Sequence, residues 1–174
     1  MSTAGSQDIS EERISIHINI ATNLHTSMAK FHLVATGGTF DEMHVGHIAL
    51  LAKAFELGEI VIIGVTSDQF AASQKGKVLN HNFDERVDTL KELISREFGN
   101  VKFQIAKLDS EFGPAVTTGN VEALVASAET RGKGLKLNQI RAKKGLSPVE
   151  IISVDTIKAE DGQPISSTRI RAGE

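Results

Sequence analysis

The chain predicts a doubly wound α/β fold, a parallel sheet of about five strands with helices on both faces. Short apolar runs alternate with stretches whose apolar residues recur at helical spacing. The first strand, helix, strand unit takes about 35 residues, the length of a crossover between parallel neighbours. Glycines stand where the helical stretches stop. At 174 residues the chain is long enough for one domain with a proper core and short for two.

Residues 1–27 differ from the rest. "ISIHINIA" places Ile14, Ile16, Ile18 and Ile20 in strict alternation, the period of a half-buried strand, between the polar flanks "MSTAGSQD" and "ATNLHTS". It reads either as an added edge strand or as a dispensable appendage, a translated leader ahead of a start at Met28. Asp8, Glu11 and Glu12 argue against an organelle transit peptide. A single domain is expected over residues 28–174.

Within it, "FHLVATG" is the first strand. "HIALLAKAFELG" follows as a helix with Ile48, Leu51, Ala52 and Phe55 on one face and Gly58 as its C-cap, and "EIVIIGVT" is a buried strand. "FDERVDTLKELISREFG" carries Val87, Leu90, Leu93, Ile94 and Phe98 at helical spacing and stops at Gly99. "VKFQIAKL" and "VEALVAS" are strands, "LKLNQIRAKKG" is a basic helix ending at Gly145, and "VEIISVDTI" is the last strand. In such sheets ligands collect beyond the carboxyl ends of the strands, at the switch point.

Composition narrows the function. With 19 basic and 22 acidic residues and a net charge of −3, nothing suggests a general nucleic-acid or membrane-surface binder, so any anion site is local. The absence of cysteine removes disulfides, thiolate metal sites and cysteine nucleophiles. No apolar run reaches the roughly 20 residues of a membrane span, and no basic start followed by an apolar stretch marks a secretory signal. A cytoplasmic location is the expectation.

"GGTFDEMHVGH", residues 37–47, lies between the first strand and its helix and puts His47 in the first helical turn. Free N–H groups and the positive end of the helix dipole gather anions at such a place, and histidines there donate to phosphate oxygens. The stretch is neither G-x-x-x-x-G-K-[ST] nor G-x-G-x-x-G. Two surface histidines capping a helix are the plain alternative. A zinc site lacks a third ligand, since there is no Cys and no H-E-x-x-H, and no metal ligands are expected. "ISSTRIR" at 165–171 opens a second helix with hydroxyls; alone it would read as an ordinary N-cap.

H-x-G-H inside G-T-F-D-x-x-H-x-G-H is the signature of the nucleotidyltransferase superfamily, and the stretch from about Phe31 to Gly173 resembles the phosphopantetheine adenylyltransferases of archaea and eukaryotes. His44 stands where the bacterial branch commonly has threonine. "VASAETRGKGLKLNQIRAKKGL" looks like that branch's strand, turn and basic helix, and "PISSTRIR" like its ending. The resemblance implies a Rossmann-like domain that transfers the adenylyl group of ATP to 4'-phosphopantetheine. It implies that His44 and His47 contact the ATP phosphates, and that Gly38, Thr39 and Phe40 meet nucleotide and acceptor phosphate through hydroxyl and backbone. Ser166, Ser167 and Thr168 would hold the β and γ phosphates, with Arg169 as a supporting cation. Lys75 or Lys77 would bridge donor and acceptor phosphates, Lys75 being preferred as the first after its helix. Arg131, with Gly132, would meet the substrate phosphate or the adenine. Arg86 reads as part of a helix start or as an acceptor-phosphate contact, and Asp68 as an N-cap rather than a ligand.

The implied chemistry fits this inventory. A phosphate oxygen is already anionic, so neither a nucleophilic side chain nor a strong base is needed, only in-line positioning and charge stabilisation. Magnesium would arrive with ATP, held by phosphates and water, with Asp41 as the candidate carboxylate behind it. A monomer is expected. Transfer to flavin mononucleotide, nicotinamide mononucleotide or a polyol phosphate, and a catalytically silent nucleotide-binding module, are the rival readings. The R-T-x-G-I-S-T ending of cytidylyl transfer and the GRFQPFH opening of the nicotinamide enzyme are absent.

Overall fold

The computed structural model describes residues 29–75, 78–113 and 117–155. β1 (Phe31–Gly38) leads into α1 (Val45–Leu57) and β2 (Gly58–Thr66). After them come α2 (Asp68–Lys75), α3 (Phe83–Phe98) and β3 (Phe103–Leu108). β4 (Ala123–Ser127), a 3-10 turn at Ala128–Thr130, α4 (Arg131–Lys143) and β5 (Glu150–Val154) complete the described part. Every strand pair is parallel, in the order β3-β2-β1-β4-β5. This is the doubly wound arrangement that the alternating pattern predicts, with its switch point between β1 and β4. The expected strand at Ile14–Ile20 and the helix at 165–171 lie outside the described residues.

The two faces of the sheet are unequally filled. Because alternate residues of a strand face opposite ways, Val34, Val61, Ile63, Val65 and Val125 point to one side. There Leu50, Leu51, Ala54 and Phe55 of α1 and Val87, Leu90, Leu93, Ile94 and Phe98 of α3 cover them. Fully buried Leu51, Leu90 and Ile94 each contribute roughly 2 kcal/mol. On the other side Ala35, with Leu33, Ile62, Leu124 and Ile151, meets Leu137 of α4, and the cluster is much smaller.

Local signals fix the helix ends. Asn82 caps α3 in a reciprocal pair with Glu85, and Gly99 ends it at φ 68°. Gly58 closes α1 and at once begins β2, so no loop separates helix from strand. α4 starts earlier than its apolar spacing implies, because the 3-10 turn feeds directly into it. Its basic run is not a uniformly solvated face: Arg141 is buried and donates to the carbonyls of Ser147 and Thr118 at 2.8 and 2.6 Å. Asn138 exchanges two bonds with the Val149 backbone, tying α4 to the start of β5. No helix among the described residues is long and apolar enough to cross a membrane.

Candidate active site

β1 and β2 pair over seven residues from Phe31↔Gly58 to Gly38↔Val65, whereas β1 and β4 pair only at Val34↔Ala123 and Ala35↔Leu124. Beyond that point the strands part, and the Thr36 hydroxyl reaches across to the Val125 carbonyl at 2.8 Å. The crevice opens at the carboxyl edge, where residues 37–47 follow β1.

His44 is the N-cap of α1, and its Nδ1 accepts the Gly46 N–H at 3.1 Å. His47, three residues on, turns its own Nδ1 to the His44 N–H at 3.4 Å. This is a capping box built from two imidazoles. An Nδ1 that accepts from an amide carries no proton, so both rings are set as Nε2–H donors. The rings lie 3.9 Å apart, tilted by 30°, and His47 also faces the Phe40 ring at 5.1 Å. Gly46 makes the arrangement possible, since a Cβ there would come within 2.8 Å of the His44 ring. The structure amends one expectation: the Gly46 and His47 amides are bonded to His44 itself. The groups that this turn presents as donors are therefore imidazoles more than first-turn backbone.

Burial holds the His44 pKa below its ordinary 6.5. A lowered histidine pKa means that the unfolded chain binds the proton more readily. Stability from this site is thus complete above pH 6.5 and is lost as pH falls through the folded value. Unfolding free energy should decline as the solution is acidified below pH 6.5, because protonation also breaks the Nδ1 cap. Denaturant titrations of wild type and His44→Asn, which keeps a capping acceptor without a titrating ring, should give a shallower slope for the variant. Equal slopes would remove His44 from the cause.

Phe40 is buried and has φ 53°, the one positive value at a non-glycine residue among those described. Arg86 lies beneath the loop, 1% exposed. Its guanidinium donates to the Thr39 carbonyl at 2.5 Å, the Thr66 carbonyl at 2.8 Å and Asp68 at 2.7 Å. The acceptor-phosphate contact considered for it is not where its bonds go; they join α3 to the motif loop, to the end of β2 and to the start of α2. Asp68 is not an N-cap, as the Ser67 hydroxyl takes the Phe70 amide and Asp68 accepts from Arg86 and the Phe83 amide. Asp41, 4% exposed, accepts from the Asn80 and His81 amides at 3.1 and 3.0 Å and from the His81 ring at 3.2 Å, fixing the stretch before α3.

Beyond Gly37 and Gly38, a solvent-open cleft with about 850 Å³ of empty space runs over the thinly covered face of the sheet. Its floor is smooth: Ala35, Gly37, Gly64 and Ala106 line it, and a Cβ on Gly37 would lie 2.9 Å from the Gly64 carbonyl oxygen. Thr130 of the 3-10 turn and Lys133 and Leu137 of α4 line it as well, together with Phe70, Glu111 and Phe112. The histidines are not part of this lining; they follow its glycine end in the chain.

Of the expected site residues, Gly38, Thr39, Phe40, His44 and His47 are brought together in one loop and helix start, with Arg86 under it. Lys75 is the last residue of α2 rather than the first beyond it. Arg131 is exposed at the start of α4, while Lys133, which was not singled out, faces the cleft. Lys77, Ser166, Ser167, Thr168 and Arg169 lie outside the described residues.

Residues 35–173 match the family model described as cytidylyltransferase-like. The chain is 44% identical over 145 residues to the phosphopantetheine adenylyltransferase of Methanothermobacter thermautotrophicus, covering 83% of this chain and 86% of that protein. Its counterpart from Methanosarcina acetivorans is 43% identical over 143 residues, 81% of this chain and 90% of that one. Among solved structures, a protein of unknown function from Archaeoglobus fulgidus aligns with a TM-score of 0.64 and 34% identity, over 76% of this chain and 98% of that one. Pantothenate synthetase from Thermus thermophilus, at a TM-score of 0.53 and 16% identity over 86% of this chain and 65% of that one, shares the fold alone.

Proposed function

Since the chain belongs to the cytidylyltransferase-like family and, within it, to the phosphopantetheine adenylyltransferases, we propose that His44 and His47 stabilise the transfer of an adenylyl group from ATP to 4'-phosphopantetheine. The products are dephospho-coenzyme A and pyrophosphate, a step of coenzyme A biosynthesis. The observation that carries the assignment of roles is the reciprocal cap, which presets both imidazoles as neutral Nε2–H donors.

An oxygen of the acceptor's phosphate attacks the α-phosphorus of ATP, a new P–O bond forms, and the bond from that phosphorus to the bridging oxygen of the β-phosphate breaks. Pyrophosphate departs with the electron pair. Charge grows on the α-phosphate oxygens and on the leaving group, so fixed donors that need no reorganisation lower the barrier. In this reading His44 and His47 supply them, while Gly38, Thr39 and Phe40 bring backbone and hydroxyl close to the nucleotide. Lys75 or Lys77 bridges donor and acceptor phosphates, Ser166, Ser167, Thr168 and Arg169 hold the leaving pyrophosphate, and Arg131 meets substrate at the start of α4. The smooth cleft floor admits the body of a substrate without side chains in its way.

Magnesium, when bound with ATP, neutralises phosphate charge. Asp41, Glu42 and His81 are close enough to share an ion, but the Asp41 oxygens already accept from Asn80 and His81, and Glu42 accepts from the Asn80 side chain. That supports an ion held by phosphates and water, as suits magnesium. The enzyme works in this reading as a cytoplasmic monomer.

Pyrophosphate release from ATP and magnesium should occur with 4'-phosphopantetheine and stay at background with flavin mononucleotide, nicotinamide mononucleotide and glycerol 3-phosphate. Turnover with another acceptor in place of phosphopantetheine would overturn the substrate assignment.

A further inference from the structure

Arg86 sits where stability alone does not call for an arginine. Its side chain is fully covered, and its acidic partner, Asp68, is half exposed. Burying a guanidinium is costly, and well-packed apolar groups often serve as well or better. Its Nε has no partner among the described residues, so the position is not one that satisfies the whole group. What an apolar residue cannot do there is hold oxygens, and Arg86 holds the carbonyls of Thr39 and Thr66.

The Thr39 oxygen belongs to the same peptide unit as the Phe40 N–H. In a trans peptide the two point in opposite directions within one plane, and no cis peptide occurs among the described residues. With the oxygen drawn onto the buried guanidinium, the Phe40 N–H must face away from Arg86. It has no backbone or side-chain acceptor among the described residues. The left-handed backbone at Phe40 is a conformation that surroundings have to impose on a side chain of this size, and such strain gathers at functional loops.

We propose that Arg86 is a positioning residue: it orients the Thr39–Phe40 peptide so that the Phe40 N–H donates to a phosphate oxygen of the nucleotide. This rests on the adenylyl-transfer reading above. Lysine cannot replace it, since one ammonium does not match a planar fork that spans two carbonyls and a carboxylate.

The test combines spectroscopy with kinetics on the full chain. In protein labelled with 15N at its eight phenylalanines, the Phe40 amide, assigned through Phe40→Tyr, should move downfield on adding ATP with magnesium. In Arg86→Lys that movement should vanish. The variant's kcat should drop about a hundredfold, as for loss of one preorganised donor, with KM for ATP nearly unchanged. A merely structural role would lower the active fraction without singling out the Phe40 amide. A wild-type Phe40 amide indifferent to ATP, or a folded Arg86→Lys with near wild-type kcat, overturns the proposal. Should Arg86→Lys fail to fold, the wild-type titration decides alone. If wild type moved its Phe40 amide but released no pyrophosphate, the transfer reading would fall while the amide donor stood.

Discussion

His47→Ala should lower kcat about a hundredfold, close to 3 kcal/mol of barrier, while the protein stays folded. Alanine removes the Nε2–H donor and the ring that stacks on His44 at 3.9 Å. It is also the best helix former, and it occupies the third position of α1. The lost capping bond costs about 1 kcal/mol, hence a fall in Tm of about 2–4 °C. The effect should appear in kcat more than in the KM for ATP, because the donor matters most where charge develops. Steady-state pyrophosphate release together with thermal unfolding checks both parts. A folded variant with undiminished kcat would remove His47 from the transition state.

Asp41→Ala should cost stability instead, about 2 kcal/mol and so a fall in Tm of about 4–8 °C. The carboxylate side chain is wholly covered, yet it accepts two backbone amides and a ring nitrogen from Asn80 and His81. Those partners are themselves exposed and can turn to water, which keeps the cost below that of stranding a buried amide. Asp41→Asn should not restore the loss, since the amide group would present its NH2 to one of two N–H donors. Thermal unfolding of both variants tests this, and Tm values within a degree of wild type would show that the bonds contribute nothing.

The strands and the histidine motif were legible because each follows from one local rule. A buried parallel strand must be apolar throughout, and an imidazole cap with a glycine inside it has one spacing. Arg86 reads from sequence as a helix start or a phosphate contact and Lys133 as one cation of a basic run, yet both stand four residues before a buried leucine, Leu90 and Leu137. That spacing puts each on the inward side of its helix, which is the signal that could have identified them. Arg131 does not share Lys133's spacing and lies exposed. The choice between Ser67 and Asp68 as a cap was invisible, since both residue types cap helices and only the distant Arg86 claims the aspartate. Which ring nitrogen carries the proton is equally beyond sequence, as it depends on the amide that each Nδ1 meets.

The sheet's pairing order also sets a schedule for building it. Val34 finds Val61 soon after it in the chain, but its other neighbour, Ala123, arrives only 89 residues later. At the usual pace of synthesis those last 62 residues, from 61 to 123, take roughly 3 to 12 s. Until then the central strand offers an open edge, and non-local pairings of this kind are the slow ones to form. The seam between β1 and β4 is thus among the last to close on the nascent chain, and the crevice beside the histidines takes shape only when it does.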